Sequence, residues 1–84
     1  MPKVKLFANF REVAKVREVE VDAKDVQELL KKIVEKIPEL KELIFDGEKV
    51  RSYVNVMVNG EIVKGNRELK KDDIVAIFPP LSGG

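Results

Sequence analysis

One segment of this 84-residue chain carries its apolar residues at helical spacing, whereas the other patterned segments alternate. Within residues 24–38 the apolar residues fall three or four positions apart, so they share one side of a helix. They are Val26, Leu29, Leu30, Ile33, Val34 and Ile37. One amphipathic helix can cover only one face of a sheet, so the chain is predicted to fold as an α+β domain.

Both ends of this helix carry signals in the sequence. Asp25 followed by Glu28 resembles a capping box at the start of the helix, and Asp22 is the alternative cap. Proline disfavours helical geometry in the residue before it, so Pro38 predicts that the helix ends at Ile37.

Two alternating segments before the helix predict strands. Residues 3–10 carry apolar side chains at a period of two, which predicts a strand with one buried face. That face would consist of Val4, Leu6, Ala8 and Phe10. Residues 18–22 alternate valine with acidic side chains, as a half-exposed strand does. The connection between the two is short, so they are predicted to form a hairpin.

Two segments after the helix predict the rest of the sheet. Residues 53–64 alternate around Asn59-Gly60, a pair that suits the type I′ turn of a hairpin because both positions need a positive φ. Residues 74–78 are apolar on both faces, which predicts a central strand. The predicted order is β-β-α-β-β-β, and the sheet face away from the helix stays free for another protein. Phe7, Tyr53 and Met57 are expected on that face.

Composition excludes several kinds of chemistry and partner. The chain contains no cysteine and no histidine, which excludes thiolate nucleophiles, disulfides and histidine-based acid–base or metal chemistry. Its formal net charge of +1 gives no reason to expect a nucleic-acid or membrane partner. The first residues, MPKVKLFANF, contain no apolar leader before a cleavage site, so we expect a cytoplasmic protein. Lysine and glutamate dominate the charged residues, which favours a thermophilic source.

The chain ends in FPPLSGG, directly behind the last predicted strand. Pro79 and Pro80 favour an extended path, so residues 79–84 are predicted to project as a flexible tail from a domain of residues 1–78. At full extension this tail reaches roughly 20 Å. Terminal glycines often belong to a frayed end, and that interpretation stays open.

The tail can present one reactive group, the α-carboxylate of Gly84. Glycine has no Cβ, so Gly83 and Gly84 fit a channel too narrow for side chains. A carboxylate is a poor electrophile until its oxygen becomes a leaving group, as in an acyl-adenylate. The chain has no phosphate-binding loop of the GxxxxGK[ST] type, so a second protein would have to bind ATP. We expect no cofactor bound to this chain.

Three stretches resemble the small subunit of molybdopterin synthase, a family of ubiquitin-like β-grasp sulfur carriers. They are KLFANFREVA, VNVMVNGEIV and LKKDDIVAIFPPLSGG. The most specific is the pattern from Asp73 to Gly84, with its paired prolines and paired glycines. The resemblance implies a mixed β-grasp sheet of four to five strands with one main helix packed on one face.

The resemblance also implies a function and partners. An E1-like adenylyltransferase would activate Gly84 with ATP, and sulfur transfer would then leave a thiocarboxylate there. The tail would enter a channel in the large subunit of molybdopterin synthase, which would hold the catalytic groups and build the dithiolene for molybdenum or tungsten. The tail residues implied are Pro79, Pro80, Leu81, Ser82 and Gly83. This chain would be a carrier, monomeric when free, and not an enzyme.

Five residues are predicted to face a partner protein. The resemblance places Phe7, Arg11 and Ile62 on the partner-facing surface. It also matches Phe78 to the point where the tail leaves the last strand. Met57 joins them because it alternates onto the uncovered face.

Simpler interpretations of these residues stay open. Single exposed apolar side chains occur on most protein surfaces, and Arg11 would otherwise be a solvated charge at the end of a strand. Asp72 and Asp73 resemble a pair of metal ligands, but adjacent carboxylates before a strand more often form a turn. No metal site is predicted.

Two other functions fit the same tail. A ubiquitin-like modifier would join Gly84 to lysines of target proteins after the same adenylation. Sulfur delivery for thiamine synthesis is disfavoured, because the related carriers usually lack Pro79-Pro80 and are shorter.

Overall fold

A computed structural model describes residues 1–80 of the chain and places seven strands and three α-helices there. The strands are β1 (Lys3–Leu6), β2 (Glu18–Glu20), β3 (Phe45–Asp46), β4 (Lys49–Val50), β5 (Asn55–Val58), β6 (Glu61–Ile62) and β7 (Ile74–Phe78). The helices are α1 (Ala8–Ala14), α2 (Val26–Lys36) and α3 (Lys41–Ile44), and a 3-10 turn at Pro38–Leu40 joins the last two.

Five strands form the main sheet in the order β2-β1-β7-β5-β6. The last strand lies at its centre, parallel to β1 and antiparallel to β5, as its two apolar faces predicted. The strands β3 and β4 form a separate two-stranded sheet that the sequence pattern did not predict. The mixed five-stranded sheet with its helices confirms the predicted α+β class.

The core lies between one face of the main sheet and the helices. The sheet supplies Val4, Leu6, Val56, Val58, Val75 and Ile77, which alternate to that face. The helices and the 3-10 turn supply Phe10, Leu29, Leu30, Ile33, Leu40 and Ile44. Each of these side chains is at most 6% exposed, and their removal from water is the main stabilising term of the fold.

The first helix was not predicted. The alternating pattern extended the first strand to Phe10, but β1 ends at Leu6 and the chain enters α1 at Ala8. Ala8 has a φ of 51°, a left-handed value that breaks the strand. Phe10 is still fully buried, because α1 turns it toward the core. The predicted hairpin is therefore wrong in its connection: β1 and β2 pair antiparallel, but α1 joins them.

Helix α2 begins where the capping signal predicted. Asp25, rather than Asp22, is its N-cap, and its carboxylate accepts a hydrogen bond from the Glu28 amide at 2.8 Å. That bond is the main reason why the pKa of Asp25 lies below its ordinary value. The amides of residues 26 and 27 donate hydrogen bonds to the loop at residues 66–67. The backbone donors in the first turn of α2 therefore have partners within the chain.

Pro38 ends α2 as predicted. Ile37 is the C-cap, with an extended φ of −129°, and its amide still donates to the Ile33 carbonyl at 2.8 Å. The following turn and α3 then bury Leu40 and Ile44 completely. This segment completes the helical side of the core, and no helix of residues 1–80 covers the opposite face of the sheet.

Candidate functional site

The sheet face opposite the helices carries an exposed group of apolar side chains. They alternate away from the core on β5, β6 and β7, or follow directly after β1. These residues, called the apolar patch below, are Phe7, Met57, Ile62, Ile74, Ala76 and Phe78. Phe7, Ile62 and Ile74 are 44%, 54% and 43% exposed, and the other three are half-buried. Contiguous apolar surface of this kind is typical of a protein contact site.

Phe7 and Phe78 lie beside each other at the base of the tail. The register of β1 and β7 pairs Leu6 with Ile77, and the Phe7 amide extends the ladder by donating to the Ile77 carbonyl at 3.1 Å. Each phenylalanine follows one member of that pair by one residue, so both lie on the outer face. Phe78 ends β7, and Pro79 follows directly. The structure thus brings two predicted site residues together where the tail begins.

Met57 and Ile62 form a second part of the patch, one strand further across the sheet. Met57 is opposite Ala76 on one side and Ile62 on the other, so the three residues form a row across β7, β5 and β6. Tyr53, which was predicted on the same face, lies in the turn before β5, because the strand begins only at Asn55. Four of the five predicted partner-facing residues therefore share one surface.

The remaining part of the open face is charged. Across β1 and β2, Lys3 is opposite Glu20 and Lys5 is opposite Glu18. Opposite charges at facing positions of an antiparallel pair stabilise the pairing. The apolar patch is therefore bordered on its β1 side by a strip of alternating charge.

Arg11, the fifth predicted residue, lies on helix α1 and not at the end of a strand. Its exposed side chain lines a shallow groove together with Phe7, Arg17 and Lys5. Phe7 belongs both to this groove and to the apolar patch, so the two surfaces are continuous. Sequence reasoning missed Arg17, which belongs to no recognisable motif, and did not single out Lys5, because the turn of the chain at Ala8 was not foreseen.

Asp73 belongs to a hydrogen-bonded turn, which is the simpler of its two interpretations. Its carboxylate accepts a hydrogen bond from the Lys70 amide at 2.7 Å and another from the Asn59 side chain at 2.8 Å. Asn59 and Gly60 have φ values of 50° and 84°, as the type I′ turn requires. Among residues 1–80, no three His, Cys, Asp or Glu side chains are grouped so that they could hold a metal ion.

The structure describes only the first two residues of the predicted tail. Pro79 is half-buried, Pro80 is exposed, and both lie beyond the end of β7. The predictions for Leu81, Ser82, Gly83 and Gly84 fall outside the described residues. Among the helices of residues 1–80, none is long and apolar enough to span a membrane.

Comparison with known families gives a match to the ThiS family over residues 4–84. The chain belongs to this family. This ThiS-family chain is 39% identical over 85 residues to small archaeal modifier protein 1 of Haloferax volcanii, covering 95% of this chain and 97% of that protein. The crystal structure of that modifier protein matches with a TM-score of 0.85 at 36% identity, covering 99% and 98% of the two chains.

Two further solved structures are similar to the ThiS-family chain. A Pyrococcus furiosus protein, described provisionally as molybdopterin converting factor subunit 1, is 36% identical with a TM-score of 0.75 over 95% of this chain and 97% of its own. A chain from the BexX/CysO complex of Amycolatopsis orientalis is 26% identical with a TM-score of 0.85, and the match covers both chains completely.

These comparisons confirm two of the predictions made from the sequence. The fold is the ubiquitin-like β-grasp, and the family is that of the small MoaD/ThiS-like sulfur carriers. Small ubiquitin-like proteins of this kind are carriers and are generally not catalysts. One of the similar structures is a complex with a second protein, which agrees with a role that depends on protein partners.

Proposed function

We propose that this chain carries sulfur as a thiocarboxylate on Gly84 and serves as the small subunit of molybdopterin synthase. The observation that carries the proposal is the position of Phe78. The last strand ends at the edge of the apolar patch, and the Gly-Gly tail follows from that point. A protein that accepts the tail would meet the patch at the same time, so contacts there would offset the cost of ordering the tail.

The chemistry proposed for Gly84 needs an activating enzyme that is E1-like. One oxygen of the α-carboxylate attacks the α-phosphorus of ATP and releases pyrophosphate, which leaves an acyl-adenylate. Sulfide then attacks the carbonyl carbon, AMP departs, and a thiocarboxylate remains. ATP is a substrate of the activating enzyme in this scheme, and this chain binds no cofactor of its own.

The division of labour follows from what the chain contains. Without cysteine or histidine, it lacks the side chains that most often act as nucleophiles or as acid–base groups near neutral pH. The large synthase subunit would supply the catalytic groups, and this chain would deliver the sulfur atom. The similarity to the Pyrococcus furiosus protein supports this version of the function. We place these reactions in the cytoplasm.

A second candidate function begins from the same adenylate. If the amino group of a lysine attacks Gly84 in place of sulfide, AMP departs and an isopeptide bond forms. The chain would then be a ubiquitin-like protein modifier. The observation that favours this candidate is the 39% identity to a protein named as a small archaeal modifier. The two functions do not exclude each other, because they share one activated intermediate.

Affinity capture from the source organism separates the two candidates. The chain would carry an N-terminal tag so that Gly84 stays free. The proposal expects recovery of the large synthase subunit as a non-covalent complex that dissociates in denaturant. A ladder of products that survives denaturant, with Gly84 joined to lysine in each, would favour the modifier instead. A chain with Gly84 deleted serves as the control, since it should form no covalent product.

A further inference from the structure

The groove beside the apolar patch is rich in cationic side chains. Strands β1 and β2, helix α1 and the residues that directly follow β1 and precede β2 line it. The lining residues are Lys5, Leu6, Phe7, Arg11, Arg17 and Glu18. A second depression on α1 shares Arg11 and Arg17 and adds Lys15 and Glu12. The two arginines thus line both depressions. The depressions hold four cationic and two anionic side chains, so this region is more positive than a chain of net charge +1 would be on average.

The four arginines of the chain divide into two kinds. Arg51 donates to the Glu42 carbonyl at 2.7 Å, and Arg67 pairs with the Glu61 carboxylate at 3.0 Å. Arg11 and Arg17 make no ion pair and no side-chain hydrogen bond with any other residue of the range 1–80, and both are exposed. The two arginines without a partner in that range are therefore the two that share this groove.

The backbone fixes the position of both residues. The Leu6 amide donates to the Arg17 carbonyl at 2.8 Å, which joins the start of β2 to the end of β1. The Lys15 amide donates to the Arg11 carbonyl at 2.8 Å at the end of α1. Both arginine side chains therefore extend from anchored backbone, which lowers the entropy lost when they bind a partner.

The chemistry of the groove favours a short acidic segment of a protein. A guanidinium group binds a carboxylate through two parallel hydrogen bonds, and Phe7 offers an apolar wall for the stem of an aspartate or glutamate. Glu18 borders the same groove, and the charged strip beyond it alternates in sign, so a long polyanion such as nucleic acid would meet repulsion. One or two carboxylates fit this arrangement best.

We propose that Arg11 and Arg17 bind an acidic segment of the activating enzyme while the apolar patch docks beside it. This inference rests on the proposed function. We choose the activating enzyme because both candidate functions begin with adenylation. The groove adjoins the base of the tail through Phe7, so an enzyme that receives Gly84 meets this groove. Arg17 is then a residue that orients the docked complex.

The test is pyrophosphate exchange catalysed by the E1-like adenylyltransferase of the same organism, with this chain as the variable substrate. We expect Arg17→Glu and Arg11→Glu each to raise the KM by roughly ten-fold or more at low salt, because a repulsive charge replaces an attractive one at the rim of the interface. The kcat should change little, since the two arginines are proposed to act in docking and not in the adenylation step. Added salt should weaken exchange by the unmodified chain more than exchange by either variant.

Two further variants distinguish specific pairing from a general effect of charge. Lys31→Glu, on the solvent side of α2, makes the same change in net charge and should leave the KM within about two-fold of the original. Arg17→Lys keeps the charge but loses the paired hydrogen bonds, so it should raise the KM by roughly two- to five-fold. Circular dichroism spectra of all variants should match that of the original chain.

The outcomes separate this inference from the function on which it rests. If the unmodified chain supports exchange and Arg17→Glu has an unchanged KM, the groove does not bind the enzyme and the inference is wrong, while the carrier function stands. An equal loss in Lys31→Glu and Arg17→Glu would also contradict it, because net charge alone would then explain the effect. If the unmodified chain supports no exchange, the proposed function fails, and this inference fails with it.

Discussion

The side chain of Asn59 joins the β5–β6 turn to the start of the central strand through Asp73. Its amide nitrogen donates to Asp73 Oδ1 at 2.8 Å, and its oxygen accepts from the Ile74 amide at 2.9 Å. The other oxygen of Asp73 accepts from the Lys70 amide at 2.7 Å. The Lys70 bond and then the Asn59 bond hold the pKa of Asp73 below its ordinary value, because both favour the charged form.

Replacing Asp73 should therefore destabilise the fold in a pH-dependent way. Asp73→Ala leaves the Asn59 and Lys70 donors without their partner, which should cost about 1–3 kcal/mol of the free energy of unfolding at pH 7. The folded-state pKa is lower than the unfolded-state value of about 3.9, so the carboxylate stabilises the fold above that value. This contribution is lost as the pH falls through the folded-state pKa.

Guanidinium unfolding at a series of pH values measures this effect, with Asp72→Ala as the matched control. Asp72 is the exposed neighbour and makes no side-chain hydrogen bond within residues 1–80, so its replacement should cost under about 0.5 kcal/mol. The difference between the original chain and Asp73→Ala should shrink below about pH 4. A difference that stays constant into acid would contradict the role assigned to the carboxylate.

The left-handed backbone at Ala8 predicts a substitution that stabilises the protein. A non-glycine residue at a φ of 51° is strained by roughly 1 kcal/mol, and glycine relieves that strain. Glycine also makes the unfolded chain more flexible, which opposes this gain. The net effect of Ala8→Gly should still be a melting temperature higher by a few degrees. Ala14→Gly, the same change at the end of α1 without a positive φ, should lower it. A lower melting temperature for Ala8→Gly would contradict this reading of α1.

Sequence patterns predicted the elements that one strong signal specifies. The apolar stripe and Asp25 predicted α2. The two apolar faces of residues 74–78 predicted the central strand, and Asn59-Gly60 predicted the hairpin turn. The patterns failed at residues 8–14, where Phe10 satisfies a period of two and a helical spacing equally well. Phe10, Val13 and Ala14 are three and four positions apart, which was the available signal for α1. The strands β3 and β4 have two residues each, which is too short to show a periodic pattern of apolar residues.

The apolar patch was predictable because alternation along known strands fixes which side chains share a face. Phe7 and Met57 follow from that rule, whereas Ile62 and Phe78 were placed there by the resemblance. The groove was not predictable, because Arg17 and Arg11 come together only after α1 reverses the direction of the chain. No local pattern marks a surface that is assembled from a strand, a helix and the segment between them.

The apolar patch predicts which substitution weakens partner binding. Phe78→Ala should weaken the complex with the large synthase subunit by about 2 kcal/mol, roughly thirty-fold, since a buried aromatic side chain of an interface commonly contributes that much. Phe7→Ala should act in the same direction, and its side chain is 44% exposed, so the fold should tolerate its loss. Lys31→Ala on α2 should bind normally.

Calorimetric titration measures these affinities, and circular dichroism checks that each variant is folded. Normal binding by both Phe7→Ala and Phe78→Ala would place the docking surface elsewhere. Weaker binding by both Phe7→Ala and Phe78→Ala, with normal binding by Lys31→Ala, would agree with a shared aromatic contact at the base of the tail.

The free end of the tail predicts a separation of activity from stability. Deleting Gly84, or adding one alanine after it, should abolish sulfur transfer, because the terminal carboxylate would no longer lie where the activating enzyme adenylates it. The described core lies within residues 4–77, so the melting temperature should stay within a degree or two. Sulfur transfer by the chain with the added alanine, with no trimming detected, would contradict the role of Gly84.

The most direct test of the carrier function is the mass of the intact protein after activation. The chain would be incubated with the E1-like adenylyltransferase of its own organism, ATP and sulfide, and compared with a sample that lacks ATP. The account predicts that the mass rises by the difference between one sulfur atom and one oxygen atom, and that fragmentation places the change on Gly84. An unchanged mass, with an activating enzyme that demonstrably adenylates the chain, would contradict it.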